Sequence, residues 1–189
     1  MNRRSVDRPL VEPFAGLLGE APGTSRSFRV EPLAIALDDE LRLAEPISGQ
    51  GRAARTNRGL LLQIEIGAAL DERCSRCLDP VVSRLEVRIE EEVLPSLDLA
   101  TGQPLVAASE PEALRLDDHH RLDLEPLIRE AISLAEPIAP LCRPDCPGLC
   151  PVCGARLADA GRHEHVEDTI DPRLAVLRGF SVDAGDETG

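Results

Sequence analysis

Six cysteines and a histidine pair are the residues of this 189-residue chain whose types and spacing could do chemistry. They run Cys74-x2-Cys77, then after 64 residues Cys142-x3-Cys146-x3-Cys150-x2-Cys153, and nine residues further on His163-x-His165. A two-residue gap lets successive thiolates converge on one ion through a tight turn, and the neighbouring Pro and Gly supply the turn geometry. In Cys150-Pro-Val-Cys153-Gly the glycine leaves backbone N–H groups free to approach sulfur, which is a zinc-knuckle signature. Eight candidate ligands are twice what one tetrahedral site uses.

Two divisions are open. In the simpler one, Cys74, Cys77, Cys142 and Cys146 form a long-range site, and Cys150, Cys153, His163 and His165 form a local one. In the other, the two x2 knuckles (Cys74, Cys77, Cys150, Cys153) pair, leaving Cys142, Cys146 and the histidines for a second ion. Structural zinc supplies roughly 10 kcal/mol of apparent folding free energy, which suits an otherwise coreless loop.

Catalytic readings fare worse. A zinc hydrolase needs an open coordination position and a nearby acid or base. Zinc deaminases order their ligands H-x-E before P-C-x-x-C, the reverse of this chain. Cys74-Ser-Arg-Cys77 opens no helix in a βαβ pattern, so a thioredoxin-like role is weak. Neither a GxxxxGK[ST] loop nor a GxGxxG after a strand is present.

The elements that must position these residues follow from periodicity. Leu62, Ile64 and Ile66 alternate with Gln63 and Glu65, and Leu85, Val87 and Ile89 alternate with Glu86 and Arg88. Alternation of this kind predicts two strands, here an antiparallel hairpin with Cys74 and Cys77 in its ten-residue tip (71–80). Residues 28–37 and 40–47 give weaker strand signals. Residues 48–59 read as a solvated polar loop carrying Arg52, Arg55 and Arg58, the one local basic patch of the sequence. An RNA or acidic-partner contact is the sharper alternative there. Leu124, Leu127, Ile128, Ala131, Ile132 and Ala135 form an apolar helical stripe, with Asp123 as N-cap, Pro126 in the first turn and Pro137 as the stop. A short terminal helix is expected over 171–180. The expected organisation is a flexible N-terminus (1–20), a single α+β zinc-binding domain (21–180) with a mobile acidic loop at 95–121, and a disordered tail (181–189). His119 and His120, in that loop, read as a solvated pair.

Acids number 34 against 21 basic residues, for a net charge of −13. Residues 1–58 carry about +1, and the remainder −14. Such a balance argues against a dominant phosphate-gripping surface or an anionic membrane as the partner. The start of the chain lacks an apolar run of signal-peptide length, and no stretch approaches the roughly 18 apolar residues of a membrane span. A cytoplasmic location is expected, where cysteines serve as metal ligands more often than as disulfides.

Three stretches together resemble the YceD family of large-subunit ribosomal RNA accumulation proteins. The first is Cys74, Arg76, Cys77 and Leu78. The second runs through Glu136, Ile138, Pro140, Leu141, Cys142, Cys146, Gly148, Leu149, Cys150, Pro151, Cys153, Gly154 and Leu157. The third is Asp171, Pro172, Arg173 and Leu174. The resemblance covers about residues 20–180. Many members with the full C-terminal motif end it in C-x-C, where this chain has His163 and His165; both residue types ligate zinc, so the resemblance supports a metal role for the pair. It also implies a neutral local site in place of a doubly negative one. Shorter relatives keep the first cysteine pair and lack C-P-x-C-G, which favours the long-range and local division.

The fold expected is α+β: an antiparallel β-sheet, one main helix and a zinc-stapled C-terminal segment holding one or two structural ions. The resemblance implies a non-enzymatic ribosome-biogenesis factor supporting 23S rRNA accumulation and large-subunit assembly. The charge argues that its partners are basic large-subunit ribosomal proteins or pre-ribosomal particles in preference to bare rRNA. The alternatives are a redox-sensing zinc protein and a metal-dependent rRNA-processing hydrolase.

Overall fold

The alternation at Leu62, Ile64 and Ile66 is realised in a long antiparallel hairpin. In the computed structural model, which describes residues 10–37, 41–98, 101–105 and 112–160 with His165 and Arg173, the chain divides into two compact units. These are Met1–Cys146 and Pro147–Gly189, where the sequence suggested one domain.

The described elements all lie in the first unit. They are β1 (Val11–Pro13), α1 (Ala15–Leu18), β2 (Ser25–Leu33), β3 (Arg42–Arg55), β4 (Leu60–Arg73), β5 (Pro80–Leu94), β6 (Leu114–Arg115), β7 (Arg121–Asp123) and α2 (Glu125–Leu134). Five strands make one sheet in the order β2-β3-β4-β5-β6, antiparallel except for the short β5–β6 pair. β4 and β5 pair in unbroken register from Leu60↔Val93 to Arg73↔Pro80. One face buries Leu62, Ile64, Ile66, Val87 and Ile89, and the other exposes Gln63, Glu65, Glu86 and Arg88. Period-2 burial is what a half-buried sheet demands.

α2 closes the core. Leu124, Ile128 and Ile132 are fully buried, while Leu127 and Ala131 pack partly buried beside them. The helix is shorter than its apolar stripe, and Ala135 is exposed. Asp123 accepts the Glu125 N–H at 3.0 Å, but the N-cap position is Leu124.

Three expectations need correction. Residues 48–59 are not a loop up to Arg55, because β3 runs through them. A side chain at Gly51 would stand 2.1 Å from the Phe28 ring, and one at Gly49 would stand 2.1 Å from the Glu65 carbonyl oxygen. Those glycines permit close approach within the sheet, which is easily misread as turn composition. From residue 10 onward the N-terminus is also structured. Phe14, Leu17 and Leu18 are buried, and Phe14 meets Phe28 edge-on at 6.0 Å. In a chain with three Phe and no Trp or Tyr, these rings supply bulk the aliphatic residues lack. Finally, part of 95–121 packs on the core, although 101–105 are exposed. Leu116 is buried with its N–H on the Leu94 carbonyl, and β7 pairs with β1 (Glu12↔Leu122). Strands of two and three residues are too short to show a period. The expected terminal helix, apart from Arg173, and the tail lie outside the described residues.

Candidate metal centres

The hairpin tip is built by local hydrogen bonds. Cys74 donates its N–H to Asp79 O at 2.8 Å, and Leu78 donates to Cys74 O at 2.9 Å. Leu78 takes the left-handed conformation (φ 63°), which for a side chain of this kind costs roughly 1–2 kcal/mol. The surroundings hold it there. Ser75 N–H and Oγ both donate to Pro140 O, at 2.8 and 2.9 Å, and Arg76 Nη1 donates to Cys146 O at 2.9 Å. These bonds bind the tip to the segment leaving α2.

Four sulfurs meet at that junction. Cys74 Sγ lies 3.8 Å from Cys146 Sγ, and Cys77 Sγ lies 3.6 Å from Cys142 Sγ. All four ligand atoms fall within 4.8 Å of one another. Thiolates bound at about 2.3 Å around one tetrahedral zinc stand about 3.8 Å apart, so the residues fit such an ion. Cys74 and Cys146 are buried, Cys77 is half-buried and Cys142 exposed.

The thiols of the cluster do not ionise alike. Backbone hydrogen bonds from Cys142 and then Cys77 hold the Cys74 thiol down to about 6, against its burial. Burial, and next the Cys74 sulfur, push Cys77 up to about 12; burial and the neighbouring Cys146 thiol raise Cys142 too. The Cys74 thiolate is favoured, and Cys77 and Cys142 resist a second charge. A divalent ion at the centre would reverse that preference and deprotonate all four.

The second group belongs to the second unit. Leu149 bridges to Arg156, Cys150 N–H donates to Ala155 O at 2.8 Å, and Gly154 N–H donates to Cys150 O at 2.9 Å. Gly154 (φ 71°) makes the reversal, and the Val152 N–H points at Cys150 Sγ at 3.4 Å. Cys150, Cys153 and His165 bring their ligand atoms within 4.8 Å of one another, with His165 Nε2 3.2 Å from Cys150 Sγ. His163 lies outside the described residues. Cys150 and Cys153 thus group with His165, and the hairpin-tip cysteines group with Cys142 and Cys146.

The other singled-out residues have structural duties. Arg55 donates to the carbonyls of Leu18, Thr56 and Gly59. Arg52 bonds Ser25 Oγ at 2.9 Å, and Arg58 faces Glu92 at 3.9 Å. In the His119–His120 turn, Asp117 Oδ1 accepts the His119 N–H and His120 O accepts the Phe14 N–H. The Ser75–Pro140 and Arg76–Cys146 bonds were invisible to sequence reasoning, since nothing in either segment names the other.

The family model described as "Large ribosomal RNA subunit accumulation protein YceD" matches residues 62–181, a span that contains both cysteine groups. An uncharacterized protein of Mycobacterium tuberculosis is 40% identical over 126 residues, 67% of this chain and 58% of that protein. An uncharacterized protein of Mycobacterium leprae is 30% identical over 164 residues, 85% of this chain and 72% of its own length. The chain therefore spans a little over half the length of the Mycobacterium tuberculosis relative. No solved structure matches. With the cysteine motif lying inside a family match that covers residues 62–181, more than half of the sequence, the chain belongs to the YceD family.

Proposed function

We propose that this protein is a non-enzymatic, cytoplasmic ribosome-biogenesis factor that supports accumulation of 23S rRNA, with zinc at both cysteine groups as a structural element. The family's description supplies the RNA role. The observation that carries the metal role is the four-sulfur cluster with edges of 3.6 and 3.8 Å. Four protein ligands close a tetrahedral ion and leave no position for substrate, which supports a staple over a catalyst.

The partners are basic proteins of the large subunit or its precursors. A net charge of −13 attracts cationic surfaces and repels phosphate. Arg52, Arg55 and Arg58, the one basic patch of the sequence, are engaged with Ser25, backbone carbonyls and Glu92. No helix among the described residues is long and apolar enough to cross a membrane.

Two experiments test the proposal. Depleting the protein in its host should lower 23S relative to 16S rRNA, and the wild-type chain should restore the ratio. Titration against rRNA fragments and purified large-subunit proteins at physiological salt should give binding to the proteins. Tight, steeply salt-dependent binding to naked RNA alone would overturn the partner assignment.

A further inference from the structure

We propose that Cys77 and Cys142 are an oxidation site: a hydroperoxide closes this pair to a disulfide ahead of Cys74 and Cys146. The inference rests on the four-sulfur cluster described above, but concerns its thiols whether or not an ion is bound. The cluster is asymmetric in a way that a purely structural staple does not require. Cys74 and Cys146 are 0% and 3% exposed, whereas Cys142 is open to solvent and Cys77 half-open. An oxidant arriving from water therefore meets Cys142 first. The sulfur 3.6 Å away is that of Cys77, and closing to a disulfide requires the two to approach to about 2.05 Å. Cys142 sits on an irregular segment and Cys77 in a turn, so neither must break sheet pairing to move.

The chemistry balances with hydrogen peroxide as the oxidant. Exposure selects Cys142, although its thiol ionises less readily than that of Cys74. It gives up its proton, the thiolate attacks one peroxide oxygen, the O–O bond breaks, and the leaving hydroxide takes up that proton as water. The resulting sulfenic acid is attacked by the Cys77 sulfur. An S–S bond forms, the S–O bond breaks, and a second water departs with the thiol proton. Two thiols and one peroxide give one disulfide and two waters. Each sulfur loses one electron, and the two peroxide oxygens gain them.

The product has a defined consequence. The new bond links the same two segments that Ser75 and Arg76 already tie to Pro140 and Cys146, so the hairpin tip stays in place. An ion held by the cluster would lose two of its four ligands and leave.

The test uses the full-length protein, with metal content recorded first. It is titrated with hydrogen peroxide from one equivalent upward, remaining thiols are blocked, and cross-linked peptides are mapped without reduction. A chromogenic chelator reads released zinc. The expected result is a Cys77–Cys142 peptide appearing first, one ion released per disulfide where metal was present, and reversal by dithiothreitol. First appearance of Cys74–Cys146, sulfinic acid at Cys142 without a cross-link, or oxidation confined to Cys150 and Cys153 would overturn the proposal. The initial metal content judges the metal site separately. A metal-free protein that still forms Cys77–Cys142 retires the ion and keeps the thiol pair, and a metal-bearing protein that forms another pair does the reverse.

Discussion

Cys74 and Cys146 stand 72 positions apart in the chain and 3.8 Å apart at their sulfurs, both buried. The first comes from a hairpin tip and the second from the segment beyond α2, so an ion between them would join elements that the sheet alone leaves separate.

Metal analysis should find two zinc ions per chain. Cys74→Ser should lose one ion and unfold at markedly lower temperature, because structural zinc is worth roughly 10 kcal/mol of apparent folding free energy. His165→Ala should lose the other ion and leave the melting of the first unit unchanged. Inductively coupled plasma mass spectrometry and thermal melts read both outcomes. Full metal content in His165→Ala would remove that histidine from the ligand set.

Gly51→Val should destabilise the sheet by about 1–3 kcal/mol or more, because overpacking forces neighbours off their rotamers. The clash is with the Phe28 ring at 2.1 Å. A Phe28→Leu change in the same chain should recover part of the loss. Urea unfolding of the single and double variants measures the coupling.

Ile128→Ala should cost about 2–5 kcal/mol, since Ile128 is fully buried between α2 and the sheet. The urea midpoint should fall with little change in slope. A change under 1 kcal/mol would mean that α2 does not close the core.

Asp117 gives a pH signature. Burial acts to raise its carboxyl, but the backbone N–H groups of Arg121 and His119 and the Arg121 guanidinium outweigh it and hold the carboxyl below the usual aspartate range. A group with a depressed folded-state value stabilises the fold above its unfolded value, about 3.9, and loses that contribution as pH falls through the folded value. Wild type should therefore exceed Asp117→Asn in stability by a constant margin from pH 6 to 8, with the gap closing in acid. Denaturant midpoints across pH measure it. A gap that widens in acid would contradict the assignment.

Much of this molecule is readable along the chain. The β4–β5 hairpin follows from alternation at Leu62, Ile64, Ile66, Val87 and Ile89, and the position of α2 follows from the stripe through Ile128 and Ile132. Both signals are local and periodic. The extent of β3 was not legible, because Gly49 and Gly51 have loop composition and earn their place only against Glu65 and Phe28. Nor were β1 and β7, whose partners lie more than a hundred residues apart.

By itself the sequence determined which residues could take a metal and the family they mark, since thiol chemistry and motif spacing are properties of residue type and order. Only the tertiary structure decided the grouping: Cys74 and Cys77 with Cys142 and Cys146, and Cys150 and Cys153 with His165. Spacing within a knuckle says nothing about which distant segment completes it. That depends on the hairpin length carrying the tip to where α2 ends, and on the Ser75 and Arg76 hydrogen bonds that hold it there.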